Sequence, residues 1–494
     1  MGNEARMGDT WGALVFADQY DSAALTRATK RGTLRRLGRG VYTGLVALDP
    51  AEVVSQHFVK IVAHEFPGAV FVDRCARNPR PVAGELFVAH ARQRPVELTG
   101  LVVRPRPGEP VDGDISLPEG LWLSSPARGL LDNLARVHGN RRRARTMDRA
   151  TVEEWLDDLL AQRGDDFVNS VRDHARRIAA GLHRTREFEA LDGLIGAALQ
   201  TRPSSEIASA RLAARSAGVP FDAHRAEAFE LLRAELDAFA PDVVPDLPAD
   251  TARRRLLSFY EAYFSNFIEG TEFTIDEAAA IVLDGRVPDD RPADAHDILG
   301  TYQVVNDPSE MTTAPGTFEE LDELLCRRHA IVLGGRPEAN PGEYKTRNNR
   351  AGSTEFVDHT LVVGTLRRGF DLIEGLASPF ARAVFMMFLV AEVHPFIDGN
   401  GRIARIMMNA ELVAGGEVRI VVPTVYRTNY LAALKGATHN RHFAGLISML
   451  AFARRYTARI DFTDRATAEA DLERTNAFRD PAEADAAGVR LTLP

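Results

Sequence analysis

Cysteine is almost missing from this chain of 494 residues: Cys75 and Cys326 are the only two. Two distant cysteines make no disulfide framework, and with no CxxC pair the sequence argues against a structural zinc site. Long apolar runs are missing too. The most apolar helical stretch, Ala383–Val393 (AVFMMFLVAEV), is short and contains Glu392, whereas a membrane span needs about 20 apolar residues. The opening MGNEARMGDTWG holds no apolar core of a secretory signal. These absences predict a cytoplasmic protein with no membrane partner. Basic charge is not in excess: 60 Lys and Arg stand against 69 Asp and Glu, a net charge of −9. That excludes a chain that is globally a nucleic-acid coat or a cationic membrane binder, and leaves room for a local basic patch. What is there is ordinary: 45% apolar and 26% charged residues exclude a largely disordered chain. At roughly 150 residues per domain the length suggests about three domains.

A local basic patch does occur, in Asp21–Tyr42 (DSAALTRATKRGTLRRLGRGVY). Arg27, Lys30, Arg31, Arg35, Arg36 and Arg39 have no acid between them. Asp21 or Ser22 can cap a first helix, Gly32 breaks it, and Thr33 can cap a second. A strand-like VYTGLV follows. Helix, basic helix and hairpin outline a winged helix-turn-helix that would touch DNA through residues 27–39. A solvated basic face is the plainer alternative. Residues 66–125 read as short strands and a helix (FVAHARQ, VELTGLVVRP, LWLSSPARGLLDNL). Leu25–Asp132 resembles the N-terminal part of AbiEi-like antitoxins, on LTRATKRG…LRRLGRGVY and SSPARGLLDNL; the resemblance implies a DNA-binding or protein-docking module.

The expected organisation is an α+β winged-helix-like domain over residues 1–140 and a helical connector over 141–240 that begins in the basic hinge Arg141–Arg145. A Pro/Asp-rich linker, PDVVPDLPAD, spans 241–250, because proline disfavours helix at itself and at the residue before it. A mainly α domain follows over 251–470, then a tail over 471–494. In RRRLLSFYEAYFSNFIEG the apolar Leu256, Leu257, Tyr260, Phe264, Phe267 and Ile268 make one helical face, stopped by Gly270. TIDE (Thr274–Glu277) reads as a capping box. NNRAGSTEFVDHTLVV, between Arg347 and Val363, reads as a hairpin-like flap.

The segment that carries chemistry is His394–Arg405, HPFIDGNGRIAR. An apolar helix ends before it, and Pro395 with two glycines forbids its continuation. The loop Asp398-Gly399-Asn400-Gly401 then opens a helix near Arg402. A glycine loop at a helix N-terminus offers backbone N–H groups and a favourable dipole to an anion. Arg402 and Arg405 share a face and suit phosphate oxygens. Asp398 is a hard ligand beside them, suited to magnesium shared with phosphates. His394 at the loop mouth suits a general base. Taken together, these residues describe a nucleotidyl- or phosphoryl-transfer site. The loop is not a P-loop, since GxxxxGK[ST] is not matched.

HPFIDGNGRIAR matches the HPFxxGNGRxxR signature of Fic-domain proteins, and the chain is identified by it as resembling that family. PGEYKTRNN (Pro341–Asn349) and VVPTVYRTNYLAAL (Val421–Leu434) resemble the flanking segments, so the likeness runs over roughly Thr251–Phe462. The resemblance implies a mainly α Fic fold with a β-hairpin flap. It implies transfer of AMP from ATP, with Mg2+, to a Ser, Thr or Tyr hydroxyl of a partner protein. His394 would be the base and Asp398 the metal ligand. Gly399, Asn400 and Gly401 would form the anion hole, Arg402 would engage phosphates, and Arg405 would hold the γ-phosphate. Flap residues Ser353, Thr354, Glu355, Phe356 and Val357 would align the target by strand addition. Asn409, Tyr426 and Tyr430 are candidates near adenine.

Ser265-Asn266-Phe267-Ile268-Glu269-Gly270 fits the family's inhibitory pattern [ST]xxxE[GN]. Ser265 and Glu269 share a helical face, and Glu269 would occupy the γ-phosphate's place on Arg405. The resemblance thus implies a self-inhibited enzyme, with removal of AMP as an alternative use of the same glutamate. A DNA-binding regulator with a Fic sensor domain, another nucleotidyl- or phosphotransfer, and a homo-oligomer stay open.

Overall fold

The computed structural model describes residues 11–135, 145–203, 206–246 and 251–494. They form two compact units, Met1–Gly218 and Val219–Pro494.

The first unit is built on a mixed nine-stranded sheet. Its centre is the parallel pair Glu85–Ala89 and Leu101–Arg106, flanked by Val96–Leu98 on one side and Val70–Phe71 on the other. Helix Pro50–Glu65 buries Val53, Val54, Ile61 and Val62 in the same apolar core as Leu86, Val88 and Val103. Helices Pro126–Leu134, Arg149–Ala179 (interrupted at Gly164), Thr185–Ala198 and Ala210–Ser216 close a second core around Leu130, Leu156 and Leu194. The expected strands and helix of residues 66–125 are therefore present.

The second basic helix is not. Asp21 caps helix Ser22–Lys30, its carboxylate accepting from the Ala24 N–H at 3.0 Å. Gly32 then takes a left-handed φ of 75°, and Arg35–Gly38 is a strand paired with Val41–Thr43. The stretch between Gly32 and Gly38 is too short for two helical turns, and Gly38 pairs with Leu98 so closely that a Cβ would overlap the Glu97 carbonyl. Arg35 and Arg36 donate to the nearby Leu48 and Gly38 carbonyls. A helix-turn-helix over residues 21–42 is thus replaced by helix and hairpin. Of the hinge Arg141–Arg145, residues 141–144 lie outside the described residues, and Arg145 pairs with Asp73 at 3.0 Å.

The second unit begins earlier than the proline-rich segment suggested. Helix Ala223–Ala238 buries Phe229, Leu232 and Leu236 in the core of this unit, with Phe229 against Phe385 and Phe388. The segment after it is tied down rather than free: the Val418 N–H donates to the Val244 carbonyl and the Asp246 N–H to the Gly416 carbonyl, both at 3.0 Å. Residues 247–250 lie outside the described ones. Residues 471–494 are no loose tail either, because Leu472, Ala477 and Ala484 are buried.

At the centre, helices Pro379–Val393 and Asn400–Ala414 pack on each other. Helix Thr251–Ile268 is buried most of the way round, Ser258, Phe259, Glu261 and Asn266 included, and does not show a single apolar face. Its polar side chains are bonded inside: Glu261 pairs with Arg419 at 3.0 Å and accepts from Asn409 at 2.8 Å. The Thr274–Glu277 capping box is formed. The flap is a short antiparallel hairpin, Arg350–Ala351 with Thr354–Glu355. It ends sooner than the sequence suggested, since Val362–Phe370 is a helix. No helix of the described residues is long and apolar enough to cross a membrane.

Candidate active site

The two central helices are joined by the motif loop, and its backbone is bent at both ends. His394 has a φ of 53° and Gly399 of 75°. The left-handed region costs an L-residue with a side chain roughly 1–2 kcal/mol, so contacts must hold His394 there. Asn400 supplies two of them around Phe396, accepting from its N–H at 2.8 Å and donating to its carbonyl at 2.9 Å. Asn349 donates to the same carbonyl at 2.8 Å, and the Lys345 N–H donates to the Pro395 carbonyl at 2.9 Å. His329 braces the far end. Its ring stacks on Phe396 at 3.8 Å, Nδ1 accepts from the Gly342 N–H at 2.9 Å, and Nε2 lies 3.1 Å from the Asp398 carbonyl. With Nδ1 accepting, the proton is on Nε2, which donates. Burial pushes His329 down to about 4, which keeps it in that neutral form.

The His394 imidazole is partly buried. Its Nδ1 is 3.2 Å from the Ala391 carbonyl, so Nδ1 carries the proton and Nε2 keeps its lone pair. Phe356 of the flap stacks on the ring at 3.6 Å with an interplanar angle of 1°. Burial pushes the imidazole down to about 4, so it is neutral at physiological pH.

Next to it opens helix Asn400–Ala414, with Gly399 at the N-cap. The first-turn N–H groups of such a helix have no intrahelical partner. Asp398 stands beside them, its side chain 55% exposed, one oxygen accepting from the Gly399 N–H at 2.6 Å. Arg402 is buried and pairs with Asp297 at 2.6 Å and with the Asn266 amide oxygen at 3.3 Å. Arg405 donates to the Ser265 hydroxyl at 3.0 Å, the Ser265 carbonyl at 2.9 Å and Glu269 at 2.7 Å. The Glu269 carboxylate also lies over Gly401, where an added Cβ would overlap it. Gly270, with a φ of 89°, turns the chain away just after it.

The structure therefore brings His394, Asp398, Gly399, Gly401, Arg402, Arg405, Ser265, Glu269 and Phe356 to one place. Asn400 enters as a brace through its side chain. Asn409 is not at the site: it is fully buried, its amide bonded to Glu261, the Ile420 carbonyl and the Ile420 N–H. Tyr430 is buried beneath Arg405 and Tyr426 packs on Phe452. In the flap, Ser353 is exposed, Val357 is in the core, and the Thr354 hydroxyl is bonded to His439 at 2.8 Å. Sequence reasoning missed Asp297, Asn266 and His329. Asp297 follows Asp289, Asp290 and Asp294 in DDRPADAHDILGTY, so no local signal singled it out, and for His329 there was none either.

Residues 320–412 match the model of the Fic/DOC family. The match takes in the motif loop and most of the two central helices, and over that stretch the chain is similar to Fic proteins. Protein adenylyltransferase fic-1 of Caenorhabditis elegans is 26% identical over 220 residues, 42% of this chain and 41% of that protein. Protein adenylyltransferase Fic of Drosophila willistoni is 27% identical over 267 residues, 51% of each. The chain thus matches about half or less of the length of these curated relatives. A solved fragment of C. elegans Fic-1 overlays with a TM-score of 0.35 at 18% identity, covering 60% of this chain and 95% of the fragment.

Proposed function

We propose that this protein is an adenylyltransferase that moves AMP from ATP to a Ser, Thr or Tyr hydroxyl of a partner protein and that Glu269 holds it in check. The observation that carries this reading is the joint placement of an unprotonated His394 Nε2 and an anion-ready helix mouth occupied by the Glu269 carboxylate. The named activity of the Fic relatives supports it.

In the reaction, the target hydroxyl gives its proton to His394 Nε2 while its oxygen forms a bond to the α-phosphorus. The bond from that phosphorus to the bridging oxygen of pyrophosphate breaks, and pyrophosphate leaves with the electron pair. The backbone N–H groups at Asn400, Gly401 and Arg402 would hold phosphate oxygens, adding the helix dipole to their own charge. Arg405, released from Glu269, would take the terminal phosphate. Asp398, an exposed carboxylate at the phosphate end, would suit Mg2+, since magnesium is commonly held by one carboxylate plus phosphates. When bound, Mg2+ supplies charge neutralisation on the phosphates. Two free cysteines are compatible with a reducing, cytoplasmic setting.

A second use of Glu269 has its own support. Oε1 is spent on Arg405, and Oε2 makes no hydrogen bond among the described residues. An unspent carboxylate oxygen beside the phosphate place can orient a water for removal of AMP. Incubation with labelled ATP, Mg2+ and host lysate, comparing wild type with Glu269→Gly, tests the main reading. Label on protein that rises in the variant supports it; no label with either protein overturns it.

A further inference from the structure

Helix Ala223–Ala238 precedes the segment that the sequence assigned to the enzymatic domain, yet one of its side chains reaches the flap. Arg225 is buried in the first turn of that helix. One guanidinium nitrogen pairs with Glu392, two residues before His394, and the other donates to the Glu355 carbonyl of the flap at 2.6 Å. The second Glu392 oxygen accepts from the Thr438 hydroxyl at 2.7 Å. The next residue, His439, bonds the Thr354 hydroxyl. Both residues of the flap strand Thr354–Glu355 are thus gripped, Thr354 by His439 and Glu355 by Arg225, and the chain then delivers Phe356 onto the His394 ring. The helix start is itself fixed: the Asp222 N–H donates to Thr365 at 2.9 Å and Arg441 donates to the His224 carbonyl at 3.0 Å.

We propose that Arg225 is a positioning residue that sets the register of the flap over His394, making helix Ala223–Ala238 part of the catalytic unit. The proposal deepens the transfer reading and rests on it for its functional half. A hairpin with two-residue strands has little stability of its own. A strand-adding target reads main-chain groups, and a slip of one residue turns every side chain to the opposite face. The register of Thr354–Glu355 therefore decides which target hydroxyl can meet Nε2. Arginine suits the task because its planar fork serves a carboxylate and a carbonyl at once, whereas lysine offers a single point charge.

The test uses the full chain in the Glu269→Gly background, with Arg225→Lys and, as a charge-neutral control for folding, Arg225→Met combined with Glu392→Gln. Hydrogen exchange of amides 350–357 reads the flap, calorimetry with Mg·ATP reads the nucleotide site, and labelled ATP reads self-labelling. Both variants should exchange at least tenfold faster in the flap while core amides stay protected. The ATP dissociation constant should stay within twofold, and self-labelling should fall at least tenfold. Flap exchange equal to the Glu269→Gly parent in both variants would overturn the proposal. A parent that labels nothing would sink the transfer reading alone, because flap exchange still decides the role of Arg225.

Discussion

Glu269 reaches Arg405 at 2.7 Å and at the same time covers Gly401, so one carboxylate occupies both the arginine and the mouth of the motif helix. Ser265 completes the arrangement by taking two further donors of Arg405 through its hydroxyl and carbonyl. On the proposed reading a terminal phosphate would need the same guanidinium and the same helix end, so the two anions would exclude each other and a nucleotide entering beside Glu269 would have to place its phosphates elsewhere.

Removing the carboxylate should raise AMP transfer. A hydrogen bond to a charged group in a partly buried site is worth about 1.5–3 kcal/mol, and 1.4 kcal/mol is about tenfold. Glu269→Gly is thus expected to label protein at least tenfold faster than wild type. Adding Arg405→Ala should abolish the gain, since no group then receives the terminal phosphate. Equal labelling by wild type and Glu269→Gly would remove Glu269 from regulation.

Gly401→Ala separates the place from the carboxylate. The new methyl would stand where the Glu269 carboxylate now lies, and an incoming phosphate would meet it too. In the Glu269→Gly background, Gly401→Ala should weaken Mg·ATP binding at least tenfold by calorimetry. Alanine suits a helix better than glycine by about 0.5–1 kcal/mol, so the melting temperature should not fall. Unchanged ATP affinity would show that the phosphates do not approach Gly401.

The division between units predicts how fragments of the chain behave. A fragment of residues 219–494 keeps Phe229 and Leu232 seated against the central helix. One of residues 251–494 loses both, and large apolar truncations in a core cost about 2–5 kcal/mol each. The longer fragment should express as a monodisperse, cooperatively melting protein, and the shorter one should melt at least 10 °C lower or aggregate, as 1 kcal/mol shifts a domain of this size by about 2–4 °C. Equal melting of the two would restore the boundary to the proline-rich segment.

Much of the site was legible because its chemistry is local in sequence. The residues proposed as base and metal ligand, the glycine turn and both arginines fall within His394–Arg405, and one loop and one helix turn place them. Glu269 was legible because its spacing from Ser265 brings both residues to Arg405, although Glu269 itself lies one residue past the helix Thr251–Ile268. What escaped depends on tertiary packing. Asn409 lies one turn beyond Arg405 and looked available, but Glu261 and Ile420, far apart in the chain, consume its amide. Arg35 and Arg36 looked helical until the strand Val96–Leu98 offered Gly38 a partner. Arg225 carried no local signal at all, since Glu392 and Glu355 are brought to it only by the fold.

The acid behaviour of His394 follows from its burial. Its folded value near 4 lies below the ordinary 6.5, so between these values the unfolded chain binds more protons than the folded one. The corresponding stability is complete above about pH 6.5 and is lost as pH falls towards 4, with a slope near 1.4 kcal/mol per pH unit. Going from pH 7 to pH 5, His394 should account for about 2 kcal/mol of lost stability. His394→Ala should therefore lose less on acidification than wild type, by that amount, in denaturant titrations at the two pH values. Activity gives the second check. Because Nε2 stays unprotonated down to about pH 5, kcat/KM of Glu269→Gly should hold through pH 6 and decline only as pH approaches 4. An acid limb centred near pH 6.5, together with equal pH sensitivity of wild type and His394→Ala, would mean that the imidazole is not the buried neutral base described by its contacts with Ala391 and Phe356.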